Sequence, residues 1–388
     1  MASTLAQQMA VAIAPKFTAG LSALGSLVTC FLILRPKTKG GRQASSNKSG
    51  TYHRLVLGMS LCEISSSVAL FFTTWPIPRG TPGVYGAVGT QGTCNAQGFF
   101  SQFKISSVMY NASLSVYFVL VIVKKWRDDR ILKVEPLVHL HAMAWGLGTA
   151  LASIFLTLFN DLTWNCWISA SPMGCEESWK NDGVTTCVRG DNGSLYRWAF
   201  YFGPVWVVIT LVTILMYWVY YTVRTQERRM SLLQQSIPNG AADRDLSKKT
   251  AIQAAYFVGA FYVTWFFPIT FHLVLVTSGN VYFPLLFLTS FFVPIQGLLN
   301  LIVFVRPKYG RYVKNNPHQF FLLAWFRMIL VELGCRKESS EAKSLSKTAA
   351  SSSRPGNPAP AAASDAAEPE HDKEIPVNHT VCDVDPPR

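Results

Sequence analysis

The sequence predicts an all-α membrane protein: a seven-transmembrane helix bundle with the N-terminus outside and the C-terminus inside, followed by a short interfacial helix and a disordered tail. Three observations carry that prediction. The 388 residues are 49% hydrophobic and 15% charged, with a mean hydropathy of +0.22, a balance that soluble domains of this length seldom show. Seven apolar runs reach the roughly 20 residues a helix needs to cross about 30 Å of hydrocarbon. Basic residues also gather in alternate loops, the asymmetry that sets membrane orientation.

The runs lie at about 12–34, 54–76, 97–123, 136–159, 197–222, 251–277 and 281–305. A helix is the single segment that satisfies its own backbone in lipid, so each run reads as one span. Met1 to Ala14, which include the short outer N-terminus 1–11, hold no basic n-region, so the first run is expected to stay in the membrane rather than be cleaved as a signal peptide. The second run carries Glu63, the third carries Lys104, and the sixth holds Pro268 three residues after Trp265. Pro268 deletes a backbone hydrogen bond and predicts a kink. The seventh, "QGLLNLIVFVRP", keeps Asn300 inside an apolar stretch and ends at Arg306-Pro307-Lys308. Beyond it, 306–335 reads as a juxtamembrane segment with an interfacial helix at "HQFFLLAWFRMILVELG" and Cys335 as a palmitoylation site. From 336 to 388 the chain is Ser, Ala, Pro and scattered charge, which cannot bury a core. Its serines are plausible targets of kinases.

The net charge of +13 could point to nucleic acid, but its placement argues otherwise. Loops 35–54, 124–135 and 224–249 hold seventeen Lys and Arg, while 77–96, 160–196 and 278–280 hold three. Topology alone accounts for the surplus, so no nucleic-acid partner is expected. Of eight cysteines, Cys94, Cys166, Cys175 and Cys187 fall on the outer side, where disulfides persist, and four such residues allow three connectivities. Asn192-Gly193-Ser194 is the one sequon placed outside, which marks Asn192 for glycosylation.

Seven helices host receptors, pumps, transporters and a few hydrolases, so residues must choose. A retinal pump needs a lysine within the last helix, and 281–305 has none. No nucleophile with its base and no convergent metal ligands are visible, so no enzyme activity, metal or cofactor is expected. A transporter of three-plus-one-plus-three design should show two similar halves. No shared motif aligns them, and this class remains the alternative reading.

The stretches "SLCEISSSVALFFTTWPIP" (60–78), "CNAQGFFSQFKISSVMYNASLSVYFVLVIV" (94–123), "NCWIS" (165–169), "YRWAFYFGPVW" (196–206) and "QGLLNLIVFVRP" (296–307) together resemble the G protein-coupled receptors of the cyclic-AMP-receptor-like group, with kinship to secretin-like receptors. The resemblance covers about 15–310. It implies a plasma-membrane receptor that passes a signal from an extracellular ligand to a heterotrimeric G protein. It also implies a bridge from Cys94 to Cys166, leaving Cys175 and Cys187 to pair; a Cys94 to Cys187 bridge is the competing assignment. Leu301 and Phe304 depart from the broader receptor pattern.

The short outer N-terminus leaves no room for a hormone-binding domain, so a small ligand is expected to enter the bundle. Its predicted lining is Gln97, Ser101, Gln102 and Lys104 on the third helix, Tyr196 and Tyr201 on the fifth, Trp265 and His272 on the sixth and Tyr282 on the seventh. An aromatic belt at the membrane surface would use the same residue types. Ionisable groups in a span are functional candidates by default. Lys104 is open to three readings: meeting an anionic ligand group, pairing with Glu63, or snorkelling to the interface. Glu63, Asn300 and Pro268 form the expected switch. Lys124, Lys125, Trp126, Arg127, Arg228, Arg229 and Lys248 form the expected G-protein contact.

Overall fold

The computed structural model describes residues 4–35, 50–172, 175–176, 186–232, 240–315 and 321–333. Cys335 and the serines of the tail lie outside the described residues. The chain divides into two compact units, Met1–Arg306 and Pro307–Arg388.

Six helices of the described residues are long and apolar enough to cross a membrane: Leu5–Leu34, Thr51–Phe71, Gln91–Ile122, Asp129–Phe155, Gly193–Arg228 and Lys248–Ser278. A seventh span forms from Phe283–Phe292 and Gln296–Lys314, bent by 48° at the break. We number these the first to seventh spans. The first starts at Leu5 instead of near 12, because Thr4 caps it: the Thr4 hydroxyl accepts from the Gln7 backbone and the Gln7 side chain from the Thr4 N–H. The seventh is two helices and not the one continuous run read at 281–305. Pro294 lies in the break and has no N–H to continue the ladder.

Small residues set the packing of the first span. Thr18, Ser22, Gly25, Ser26 and Thr29 are buried along one face, which lets the seventh span's backbone come close. The Gly297 N–H donates to Ser22 Oγ at 2.9 Å, and Ser67 Oγ of the second span donates to the same oxygen at 2.9 Å. Ser22 thereby joins three spans. The third span is the central one, with Ile105, Val108, Tyr110, Leu114 and Phe118 buried along it.

Between the fourth and fifth spans the chain folds into a hairpin. Strands β1 (Phe159–Leu162) and β2 (Asn165–Ile168) pair antiparallel, with Asp161 opposite Cys166 and Asn160 opposite Trp167. Disulfides join Cys94 to Cys166 and Cys175 to Cys187. The first fastens β2 to the start of the third span. In the second unit, Phe321–Glu332 is an apolar helix whose Glu332 accepts from Lys308 Nζ at 2.6 Å.

Candidate functional site

The site is assembled at the disulfide end of the bundle. Gln97, one turn past Cys94, donates to the carbonyls of Ala69 and Thr73 at 3.0 and 2.8 Å and accepts from the Cys166 N–H at 2.8 Å. One amide thus holds the second span, the third span and the hairpin together. Gln102 behaves alike: it donates to Thr149 Oγ1 at 3.0 Å and accepts from Trp167 Nε1 at 2.9 Å. Trp167 is fixed as the hairpin's inward anchor, edge-on to Tyr201 with ring centres 4.6 Å apart.

Beneath this hairpin lies a cavity of about 570 Å³. Its walls come from the third span, the hairpin, and the fifth, sixth and seventh spans. Of the predicted lining, Ser101, Lys104, Tyr201, Trp265 and His272 do face it, as does Pro268. The other four are corrected. Gln97 and Gln102 are spent on the hydrogen bonds above. Tyr196 packs with Phe200 against the buried cluster of Leu158, Phe159 and Ile168. Tyr282 is 50% exposed at the start of the seventh span. A turn of π-helix spans Trp198–Phe202 here. Trp198, Tyr201 and Phe202, spaced i, i+3 and i+4, share one wall of the fifth span and all line the cavity. Tyr201 stands 5.7 Å from Trp265 and Phe202 3.7 Å from His272, between ring centres.

Sequence reasoning missed Glu176, Arg197, Trp198 and Thr289, all of which line the cavity. Arg197 carried a usable signal, a cation at the very start of an apolar run. Nothing in the sequence points to the π-turn.

Lys104 does pair with Glu63: Nζ donates to Oε2 at 2.8 Å, and Ser107 Oγ donates to Oε1. Both partners are buried. Only Lys104 of the pair touches the cavity. Asn300 stands apart from them, its Nδ2 3.7 Å from Met59 Sδ and its Oδ1 without a partner among the described residues.

The basic residues after the third span lie at the opposite end. Lys124, Lys125 and Arg127 are exposed and Trp126 half-buried; Lys124 sits 5.2 Å over the Trp218 ring and Arg130 5.1 Å over Trp126. Lys248 pairs with Glu227 at 3.0 Å and Arg228 is exposed. The Arg229 side chain lies outside the described residues. Asn192 is exposed, in a left-handed turn before Gly193. Among the described residues no group of His, Cys, Asp and Glu is arranged to hold a metal.

No family profile and no curated protein matches the chain. A crystal structure of squid rhodopsin matches with a TM-score of 0.58 and 14% identity, covering 95% of this chain and 92% of that one. That likeness establishes the fold: the chain is a seven-helix bundle of the rhodopsin type.

Proposed function

We propose that this chain is a plasma-membrane receptor that takes a small extracellular ligand and promotes nucleotide exchange on a heterotrimeric G protein inside the cell. Within the receptors, the cyclic-AMP-receptor-like group, with its secretin-like kinship, is the assignment the motifs favour. The observation that carries the reading is the 570 Å³ cavity beneath a disulfide-pinned hairpin on a seven-helix frame. A concave, mostly aromatic and aliphatic site with a few polar groups is what small ligands occupy. In this orientation the basic loops face the cytoplasm, Asn192 is open to glycosylation, and Cys335 and the tail serines meet acyl-transfer enzymes and kinases.

The route across the membrane runs through the sixth span. A ligand pressing on Trp265 bears on a helix that lacks a backbone hydrogen bond three residues later at Pro268, and its far end then moves. Lys104 offers a second input, because drawing it from Glu63 unpairs a buried charge. The cytoplasmic readout is Lys124, Lys125, Trp126, Arg127, Arg228, Arg229 and Lys248.

The test is guanine-nucleotide exchange on co-expressed Gα proteins, with cells given extracts of small molecules. Exchange that needs an extract and is lost in Lys124→Glu/Lys125→Glu and in Asn300→Leu supports the receptor. The broken seventh span favours a second reading, transport, since proline-interrupted helices often form transport sites. Solute accumulation without exchange, from protein present at the surface, would replace the first reading with that one.

A further inference from the structure

The cavity's polar groups state what they want bound. Five buried atoms on its wall have no hydrogen-bond partner among the described residues: Ser101 Oγ, Arg197 Nε, Trp265 Nε1, His272 Nε2 and Thr289 Oγ1. Arg197 Nε and Trp265 Nε1 can only donate, while the two hydroxyls can do either. A buried donor left unmade costs about 1–3 kcal/mol, so concentrating such donors on one cavity has a purpose other than stability.

The charges agree in sign. The cations on the wall are Lys104 and Arg197. Lys104 gives one of its three protons to Glu63 and keeps the others. The wall's one carboxylate, Glu176, already accepts from the Ser194 N–H, at 3.2 and 3.3 Å to its two oxygens. Its charge also acts on Arg197, so a ligand carboxylate has to displace it from that guanidinium. Phe202, Phe271, Leu275, Val276, Leu286 and Val293 make the side formed by the fifth, sixth and seventh spans apolar, while Thr163, Asn165 and Ser169 lie on the hairpin side.

We infer that the cavity binds a small amphipathic carboxylate, its anionic head on Arg197 with Trp265 Nε1 donating nearby and its apolar body along the fifth, sixth and seventh spans. This rests on the cavity being the receptor's ligand site, but not on coupling to a G protein. Arginine suits the role because its planar fork matches a carboxylate's two oxygens.

The experiment uses the full chain in lipid nanodiscs, titrated with phenylbutyrate, phenylbutanol and phenylbutylamine, which share one body and differ in the head. Binding is read from tryptophan fluorescence, with empty nanodiscs subtracted, and from the shift in thermal midpoint. The carboxylate should bind about tenfold more tightly than the alcohol, the worth of one charge-assisted hydrogen bond, and the amine more weakly than either. Arg197→Gln should erase the carboxylate's advantage and Arg197→Lys keep part of it. Trp265→Phe, which removes the indole N–H donor together with part of the ring, should weaken the carboxylate without reversing the order. A preference for the amine, equal binding of all three heads, or an advantage that survives Arg197→Gln would overturn the inference, as would no binding at millimolar concentration. Nucleotide exchange is measured separately on the same variants, so a receptor with a different ligand chemistry is told apart from a chain that is no receptor.

Discussion

Lys104 Nζ lies 2.8 Å from Glu63 Oε2, and the two side chains are 2% and 0% exposed. Their attraction in a low dielectric repays the loss of water only while both are present. Glu63→Gln or Lys104→Met alone should therefore lower stability by about 3–5 kcal/mol, the cost of stranding one buried charge. The double variant should lose less than either single one. Thermal unfolding of the four purified proteins closes the cycle, and strictly additive losses would show that the pair acts as two independent groups.

Gly297 packs its backbone directly against the first span, its N–H 2.9 Å from Ser22 Oγ. A Cβ there would lie 2.6 Å from the Ser22 carbonyl oxygen, and a backbone atom cannot swing away as a side-chain tip can. Gly297→Ala should cost about 1–3 kcal/mol, the usual range for overpacking. Gly310→Ala is the control: its Cβ would meet nothing within 4 Å, and alanine is the better helix former by about 1 kcal/mol. A midpoint for Gly297→Ala equal to that of the unaltered protein would sink the close-packing account.

Much of this fold was legible because lipid simplifies the code. Hydropathy predicts the seven-helix bundle that the fold shows, although Thr4's capping box starts the first helix at Leu5 and Pro294 lies where the last one breaks. The site was legible only in part. Glu63, Lys104 and Trp265 declare themselves as charge or large aromatic inside a span. Gln97 and Gln102 looked equally promising, yet each is consumed by one hairpin, since Cys166 N–H and Trp167 Nε1 need acceptors. That demand arises from tertiary contact and leaves no mark in local sequence. Arg197 sits at the edge of its run, where a charge is cheap and so easily passed over.

Glu135 clamps the fourth span to the second at the end away from the hairpin. Its Oε2 accepts from Arg54 Nη2 at 2.6 Å and from Thr51 Oγ1 at 2.9 Å, while Oε1 accepts from Arg54 Nε. A two-pronged guanidinium–carboxylate contact is among the stronger polar links available. Glu135→Gln keeps the shape but removes the charge, and should lower the thermal midpoint by an amount corresponding to about 1–3 kcal/mol. An unchanged midpoint would mean that apolar packing alone holds these spans at that end.

The two disulfides should differ in what they hold. The Cys94–Cys166 bridge closes 72 residues and fastens the hairpin to the third span, while Cys175–Cys187 closes 12 within one loop. Chain entropy alone separates them modestly, at about 4–5 against about 3 kcal/mol. The hairpin widens the gap, because without the first bridge Gln97 and Gln102 hold β2 by hydrogen bonds alone. Cys94→Ala/Cys166→Ala should therefore lower both the thermal midpoint and the fraction reaching the cell surface more than Cys175→Ala/Cys187→Ala does. The second pair should act chiefly on the cavity's rim, since Glu176 follows Cys175 directly and reaches the Ser194 N–H. Its removal should speed ligand release while leaving folding largely intact. The reverse order, with the local bridge mattering more for folding, would mean that the loop and not the hairpin organises this end of the bundle.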